Sequence, residues 1–408
     1  MKQICRRREQ LVFGAFLFLA AICSNNSLAQ DNRADQVSRL LSRLPAQSHQ
    51  EAEKIYSAIL SDHGNLPVVL EFLSTGDSTA QVQAKLAVGG LSAFVTKAGF
   101  ESQRRRFSKN LADALENSPL PETKAFLLQQ LQLSGTEEAV SALAGCISNS
   151  RLCAPAVDAL AAIGGASAVK ELLSALPETE GQNRIAIINA LGFLKAPDAA
   201  GAISEFAAAQ SANVRLAALE ALAQIGAPQS RSVFPGDTAE FSTSQKSAAE
   251  AAFLTYIQNL AKNGNSATAA EMCRAVIKNS EQNAAQTRIA ALDNLVDLEK
   301  ERALPDLLTA VDAKNQTVSA AALLSSDRIP GGAATRALTS KIDAAQPELR
   351  VKLLEALGRR GDAAAASAVQ NALNDEVLEV RLAAAAALAK LLGVKSAPVL
   401  ANQFADSR

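Results

Sequence analysis

The sequence contains no tryptophan and only two tyrosines, and aromatic residues make up 4% of a chain whose apolar residues reach 48%. An interior built on large rings is therefore excluded, and the core must be assembled from Ala, Leu, Val and Ile, whose small side chains let helices approach closely. Alternating runs of β-branched residues are also missing, which removes the main signal for strands, whereas Ala and Leu are the strongest apolar helix formers. An all-α class follows. Histidine is scarce too: His49 and His63 are the only imidazoles, and they suggest neither a zinc nor a haem site. Glu51 and Asp62 lie near them in sequence and read as solvated neighbours rather than catalytic partners. There is no G-x-S-x-G, no phosphate-cradling glycine loop and no C-x-x-C-H. No catalytic residue, cofactor site or metal site is expected, and the chain does not read as an enzyme.

A charge excess is likewise absent. Forty Lys and Arg face 41 Asp and Glu over the 408 residues. Without residues 1–29 the balance is 36 basic to 40 acidic, a net charge near -4, which makes nucleic acid a poor partner. Arg104-Arg105-Arg106 with Lys109 is the one dense basic run. It reads as a solvated helix face with Glu101 and Asp113 nearby, the alternative being a grip for phosphates or an acidic surface.

Residues 1–29 have the organisation of a cleavable signal peptide. Lys2, Arg6, Arg7 and Arg8 precede an apolar stretch from Leu11 to Ile22, and Ser27-Leu28-Ala29 gives a small-x-small cleavage pattern. The stretch falls well short of the roughly 20 residues that a membrane-spanning helix needs, so no stable transmembrane anchor is expected. Cys23 completes only part of a lipoprotein pattern, because Ile22 stands where a small residue belongs. A periplasmic or secreted location is the expectation. In such an oxidising compartment the mature chain keeps Cys146, Cys153 and Cys273. Cys146 and Cys153 flank one turn closely enough for a disulfide, or they are two separate buried thiols; Cys273 reads as a buried thiol.

Internal repetition is the strongest signal. The segment Val214-Arg215-Leu216-Ala217-Ala218-Leu219-Glu220-Ala221-Leu222 returns from Val380 to Leu388, and in variant form from Leu349, Thr287 and Asn183. Taking its central leucine as an anchor gives Leu131, Leu160, Leu191, Leu222, Leu260, Leu295, Leu324, Leu357 and Leu388, at spacings between 29 and 38 residues. Such a period fits two short helices and two turns. Apolar residues three and six positions before the anchor form a helical stripe, as in Leu216 and Leu219 or Val351 and Leu354. Alanine usually precedes the anchor, at Ala159, Ala190, Ala221, Ala356 and Ala387. Gly164, Gly226 and Gly361 end their helices. One pair cannot hide its apolar face, so the units must stack into an α-solenoid, a superhelix of helix pairs.

The motif around 214–226 and 380–393 resembles the HEAT repeat, in the subclass named after phycobilisome lyases, whose pattern runs approximately V-R-x-x-A-x-x-A-L-x-x-I-G. That resemblance covers about 280 residues, from near 121 to the C-terminus. The expected organisation is a signal peptide (1–29), a divergent N-terminal helical cap (30–120) and a HEAT-like array (121–408) with an insertion at 229–247. Phe234 and Phe241 in the insertion read as packing the loop onto its own scaffold, with partner docking as the alternative.

Two ladders run through the array. Arginine stands seven residues before the anchor at Arg184, Arg215, Arg288, Arg350 and Arg381, with Lys124 in the same slot. The resemblance implies a structural role, capping or bridging turns between repeats; an anion-binding track is the alternative. Two residues before the anchor stand Gln129, Asp158, Asn189, Glu220, Gln258, Asp293 and Glu355, interrupted by Ala322 and Ala386. In the HEAT family the second helix of each pair lines the concave side. The resemblance thus implies a polar, partly acidic surface for an extended or basic protein partner, at Asp158, Asn189, Glu220, Asp293 and Glu355. Its alternative is an ordinary solvated face. Functionally, the sequence reads as a non-catalytic protein-binding scaffold. Two further readings are an arm of a secreted carbohydrate-processing assembly, hinted at by apolar Val399, Leu400 and Phe404, and a chromophore-lyase-like protein, which an export signal argues against.

Overall fold

The computed structural model describes residues 32–75, 77–234, 238–278 and 285–405. The expected signal peptide and the side chain of Phe404 lie outside them. Among the described residues every regular element is helical, with α-helices joined by short 3-10 turns. The fold is an all-α solenoid of HEAT-like helix pairs, divided into two compact units, Met1–Ala199 and Ala200–Arg408.

In the first unit the helices alternate between two layers. One layer is the succession His49–Ser61, Ser78–Phe94, Pro121–Ser134, Cys153–Ile163 and Gly181–Phe193, each packed on the next. Asn65–Thr75, Glu101–Asn117, Val140–Ala144 and Gly165–Ala175 follow one another in the second layer. The helices expected near 50–60 and 80–95 thus join the same alternation as the regular repeats, and the expected boundary at 120/121 falls inside this unit. In the second unit the long layer runs Ala212–Ile225, Thr243–Lys262, Ala285–Glu299, Gln316–Ser325, Pro347–Arg360 and Leu378–Leu392.

The anchor leucines explain the layering. Leu131, Leu160, Leu191, Leu222, Leu260, Leu295, Leu357 and Leu388 are all fully buried, together with the residues three and four positions before them in most helices, such as Ile187 and Ile188 or Leu353 and Leu354. Alanine before the anchor is buried at all five expected positions, and at one of them, Ala387, the preceding repeat comes very close: a Cβ on Gly358, the residue after its own anchor, would meet the Ala387 Cα at 3.0 Å. One anchor needs correction. Leu324 is 58% exposed while Leu323 is 2% exposed, so the true anchor of this repeat is one residue earlier. A one-residue step turns a helix by 100°, which carries Leu324 away from the core and brings Ala322, assigned to the exposed row, fully inside.

Helix ends follow their local chemistry. Gly226 and Gly361 close their helices in the left-handed conformation, at φ 64° and 66°. Ser242 and Gln245 form a reciprocal capping box before the 20-residue helix Thr243–Lys262. The segment Leu378–Gln403 is long and apolar enough to cross a membrane by length and composition alone. Its helix is broken after Leu392 by Gly393, at φ 56°, and Val380, Ala384, Ala387 and Leu388 face the core.

Candidate partner-binding face

The arginines of the ladder bond to their own protein wherever their contacts are described. The Arg215 guanidinium donates to the Ala209 and Gln210 carbonyls at 2.7 and 3.0 Å and reaches Glu240 at 3.2 Å. Arg381 repeats the arrangement on the Asp375 and Glu376 carbonyls at 2.8 and 3.0 Å, and Arg184 donates to the Pro177 carbonyl at 3.5 Å. Arg350 pairs with Asp375, whose side chain is nearly buried. Arg184, Arg215 and Arg381 thus reach back to carbonyls at the turn their helix has just left, which satisfies groups that a helix end leaves open, whereas Arg350 reaches forward to a carboxylate of the next repeat. Arg288 occupies the same slot of its helix.

A second set of caps escaped the sequence reading because it links residues more than 20 apart. Asn259 donates to the Ala223 carbonyl at 2.8 Å, Asn263 to the Ile225 and Gly226 carbonyls at 3.0 and 3.1 Å, and Tyr256 to the Ala227 carbonyl at 2.8 Å. The helix Ala212–Ile225 is therefore finished by side chains of its successor. Arg360 does the same for Ser326, Ile329 and Gly331. The basic run is partly consumed by contacts to helix ends too: Arg104 donates forward to the Ser134 and Gly135 carbonyls at 3.0 Å each, and Arg106 back to the Leu60 carbonyl at 2.6 Å, beside His63. Arg105 stays exposed and Lys109 pairs with Asp113. The solvated-face expectation thus fails for two of the three arginines. His49 lies 3.1 Å from Glu53 on the surface.

The insertion packs inward. Phe234 and Phe241 are buried, with Phe234 stacked 4.4 Å from Tyr256 and 5.8 Å from Phe253 between ring centroids, and the Arg215 guanidinium over Phe241 at 5.2 Å. The disulfide alternative is corrected: Cys146, Cys153 and Cys273 are three free, buried thiols. Cys153 opens its helix facing the core as a small apolar residue, and burial raises the pKa of all three, Cys273 to about 12.

The polar row faces solvent. Gln129, Asp158, Asn189, Glu220, Gln258 and Glu355 are exposed and Asp293 is half-buried. Asp293 differs from the rest of the row, because Ser325 donates to its Oδ1 at 2.5 Å and Arg328 pairs with the same oxygen, so its charge already has a partner within the protein. Gln258 donates to Asn294 at 3.0 Å. The side chains of Asp158, Asn189, Glu220 and Glu355 make no hydrogen bond or ion pair among the described residues. Although Glu220 is exposed, the protein around it removes enough water to push its carboxyl above the ordinary 4.5. Its carboxylate thus pays a desolvation cost that no cation yet offsets.

Among the described residues no group of three or more His, Cys, Asp or Glu is placed to hold a metal ion. One cleft, of about 680 Å³, is lined by Val169, Leu173, Leu194 and Pro197 together with Lys170, Lys195 and Asp198. A cleft of this size accepts small ligands in principle, but this one is open and carries no catalytic constellation.

A family model for HEAT repeats matches residues 169–234 and 335–408. These stretches are HEAT repeats. The matched segments contain the two strongest copies of the motif and its arginines Arg184, Arg215, Arg350 and Arg381. Curated protein sequences give no match. Among solved structures, the karyopherin Kap121p bound to the extreme C-terminus of the protein phosphatase Cdc14p aligns over 91% of this chain and 46% of its own, at TM-score 0.50 and 13% identity. The chain therefore spans about half of that karyopherin, and the likeness is one of fold. An engineered protein aligns over 87% of this chain and 98% of its own, at TM-score 0.30 and 16% identity. Human deoxyhypusine hydroxylase aligns over 62% and 96%, at TM-score 0.29 and 18% identity. The HEAT repeats thus form a solenoid consistent with protein binding, the coarse function that the sequence pattern implied.

Proposed function

We propose that this chain is a non-catalytic, protein-binding scaffold of the periplasm or cell exterior, which recognises its partner on the outward face of the long helices. The observation that carries this reading is the row Asp158, Asn189, Glu220 and Glu355: exposed, polar and without partners among the described residues, on helices whose opposite faces are devoted to the core. Ordinary surface acids gain from pairing with nearby lysines or arginines, and this solenoid pairs many of its own, as at Arg328 with Asp293 and Asp297. The open carboxylates are thus free to meet a cation supplied from outside. The location rests on the leader pattern of residues 1–29.

The deciding experiment is affinity capture from the native cell envelope, comparing the wild type with a D158K/E220K/E355K variant. Asp293 is spared because its reversal would break the contact with Arg328. The expected result is that protein partners held by the wild type are lost from the variant at unchanged helicity by circular dichroism. Equal capture by both chains would overturn the reading, and a mature N-terminus other than one near Gln30 by mass spectrometry would overturn the location.

A further inference from the structure

We infer that the first unit carries a recognition stripe for an extended peptide segment bearing two apolar side chains about six residues apart with a basic residue between them. The inference rests on the scaffold reading and adds Leu133 and Phe193, which the repeat pattern did not single out. Pro121–Ser134, Cys153–Ile163 and Gly181–Phe193 pack in succession, and each buries its anchor, Leu131, Leu160 or Leu191. Two residues beyond the anchor is about 200° around a helix, and two before it about 160°. Leu133, Ala162 and Phe193 therefore share the outward face with Gln129, Asp158 and Asn189.

Leu133 is 62% exposed and Phe193 72%. A single exposed leucine is ordinary. Here the two large apolar side chains recur at the same helical position on the first and third of three packed helices, and the middle helix holds only Ala162 there, exposed and without bulk. The result is two apolar contact points separated by a low saddle. Asp158 stands on the saddle's helix and has no partner among the described residues. Gln129 and Asn189 flank it, and each carboxamide offers both a donor and an acceptor, the two functions that an extended peptide unit leaves open. A helical partner satisfies its own backbone and would leave these amides idle, which favours an extended one.

Spacing sets the sequence of the partner. Packed helices lie 8–10 Å apart, so points two helices apart are about 20 Å apart. An extended chain covers that distance in about six residues, at roughly 3.3 Å each. Six is even, so both apolar side chains project to one side, as does a residue two or four positions after the first. A Lys or Arg at either of those positions brings its charge over Asp158, and a Glu there meets the same carboxylate as a like charge.

The test uses the chain lacking residues 1–29 and capped synthetic peptides in a Gly-Ser background, with binding followed by fluorescence anisotropy. One peptide carries Leu, Lys and Leu at positions 1, 3 and 7; a second has Glu for Lys; a third moves the final Leu to position 6. The first should bind at least tenfold more tightly than either control. F193S and L133S, both surface changes with retained helicity expected, should each weaken it about tenfold, and D158K should reverse the preference from the Lys to the Glu peptide. No measurable binding, or equal binding of the Lys and Glu peptides, would overturn the inference, as would a D158K variant with unaltered preference. If envelope partners are captured by the wild type and are also retained by the F193S/L133S double variant, the stripe is wrong while the scaffold reading stands.

Discussion

Single side chains show how differently buried and exposed chemistry behave in this solenoid. The three thiols are buried and their pKa values raised, so the thiolate that reacts with disulfides and alkylating agents is suppressed. A chain lacking residues 1–29 should therefore titrate with three thiols in denaturant and almost none when native. A count of one in denaturant would show a disulfide instead. Glu220 makes a pH-dependent prediction. Its folded pKa lies above the unfolded 4.5, so the folded state holds the proton more tightly, and a cost to stability appears as pH rises through 4.5 and persists above the raised value. Glu220→Gln should raise the melting temperature slightly near pH 7 and lose that advantage near pH 3.5, where both chains are neutral at this site. A constant difference across thermal melts from pH 3.5 to 7 would contradict this. Single residues were also where sequence reasoning slipped. Leu323 and Leu324 are adjacent and chemically identical, so the pattern alone cannot say which faces inward; packing decides. Asp293 looked like its neighbours in the polar row, and only the fold brings Arg328 and Ser325 to it.

At the level of the helix, the ends carry as much information as the faces. Gly226 and Gly361 have the same backbone conformation but different surroundings. A Cβ on Gly226 would lie 2.7 Å from the Asn259 Cβ, whereas one on Gly361 meets nothing within 4 Å. Gly361→Ala should therefore cost only the left-handed penalty, about 1 kcal/mol, and Gly226→Ala about 3 kcal/mol once the clash is added. Urea unfolding midpoints would check the order, and equal shifts would refute it. The helix stripes, the glycine stops and the alanine positions were all legible in the sequence, because each expresses a period that one helix imposes on itself. The caps supplied by Asn259, Asn263, Arg104 and Arg360 were not, since they depend on which turn lies beside which side chain. The arginine ladder was readable as a position, and its hydrogen-bond partners became visible only with the turn before it.

Across the whole chain, the solenoid class was evident from repetition, and the HEAT matches at 169–234 and 335–408 fall on its clearest copies. The N-terminal helices were harder to place, because they keep the two-layer alternation without the motif that marks it elsewhere. In a stacked array stability is close to a sum over neighbours, so damage remains local. Hydrogen exchange on Gly226→Ala should accelerate in Ala212–Ile225 and Thr243–Lys262, and leave Leu378–Leu392 nearly as protected as in the wild type. Uniform acceleration along the second unit would mean that it melts as one block.

The caps that Tyr256, Asn259 and Asn263 place on the preceding helix also impose an order in time. A polypeptide emerging from its amino end cannot give the carbonyls at Ala223 and Ile225 these side-chain partners until 36 and 38 further residues have appeared and coiled. This rung of the stack stays unfinished until the next arrives, so its maturation trails the growing tip by one rung.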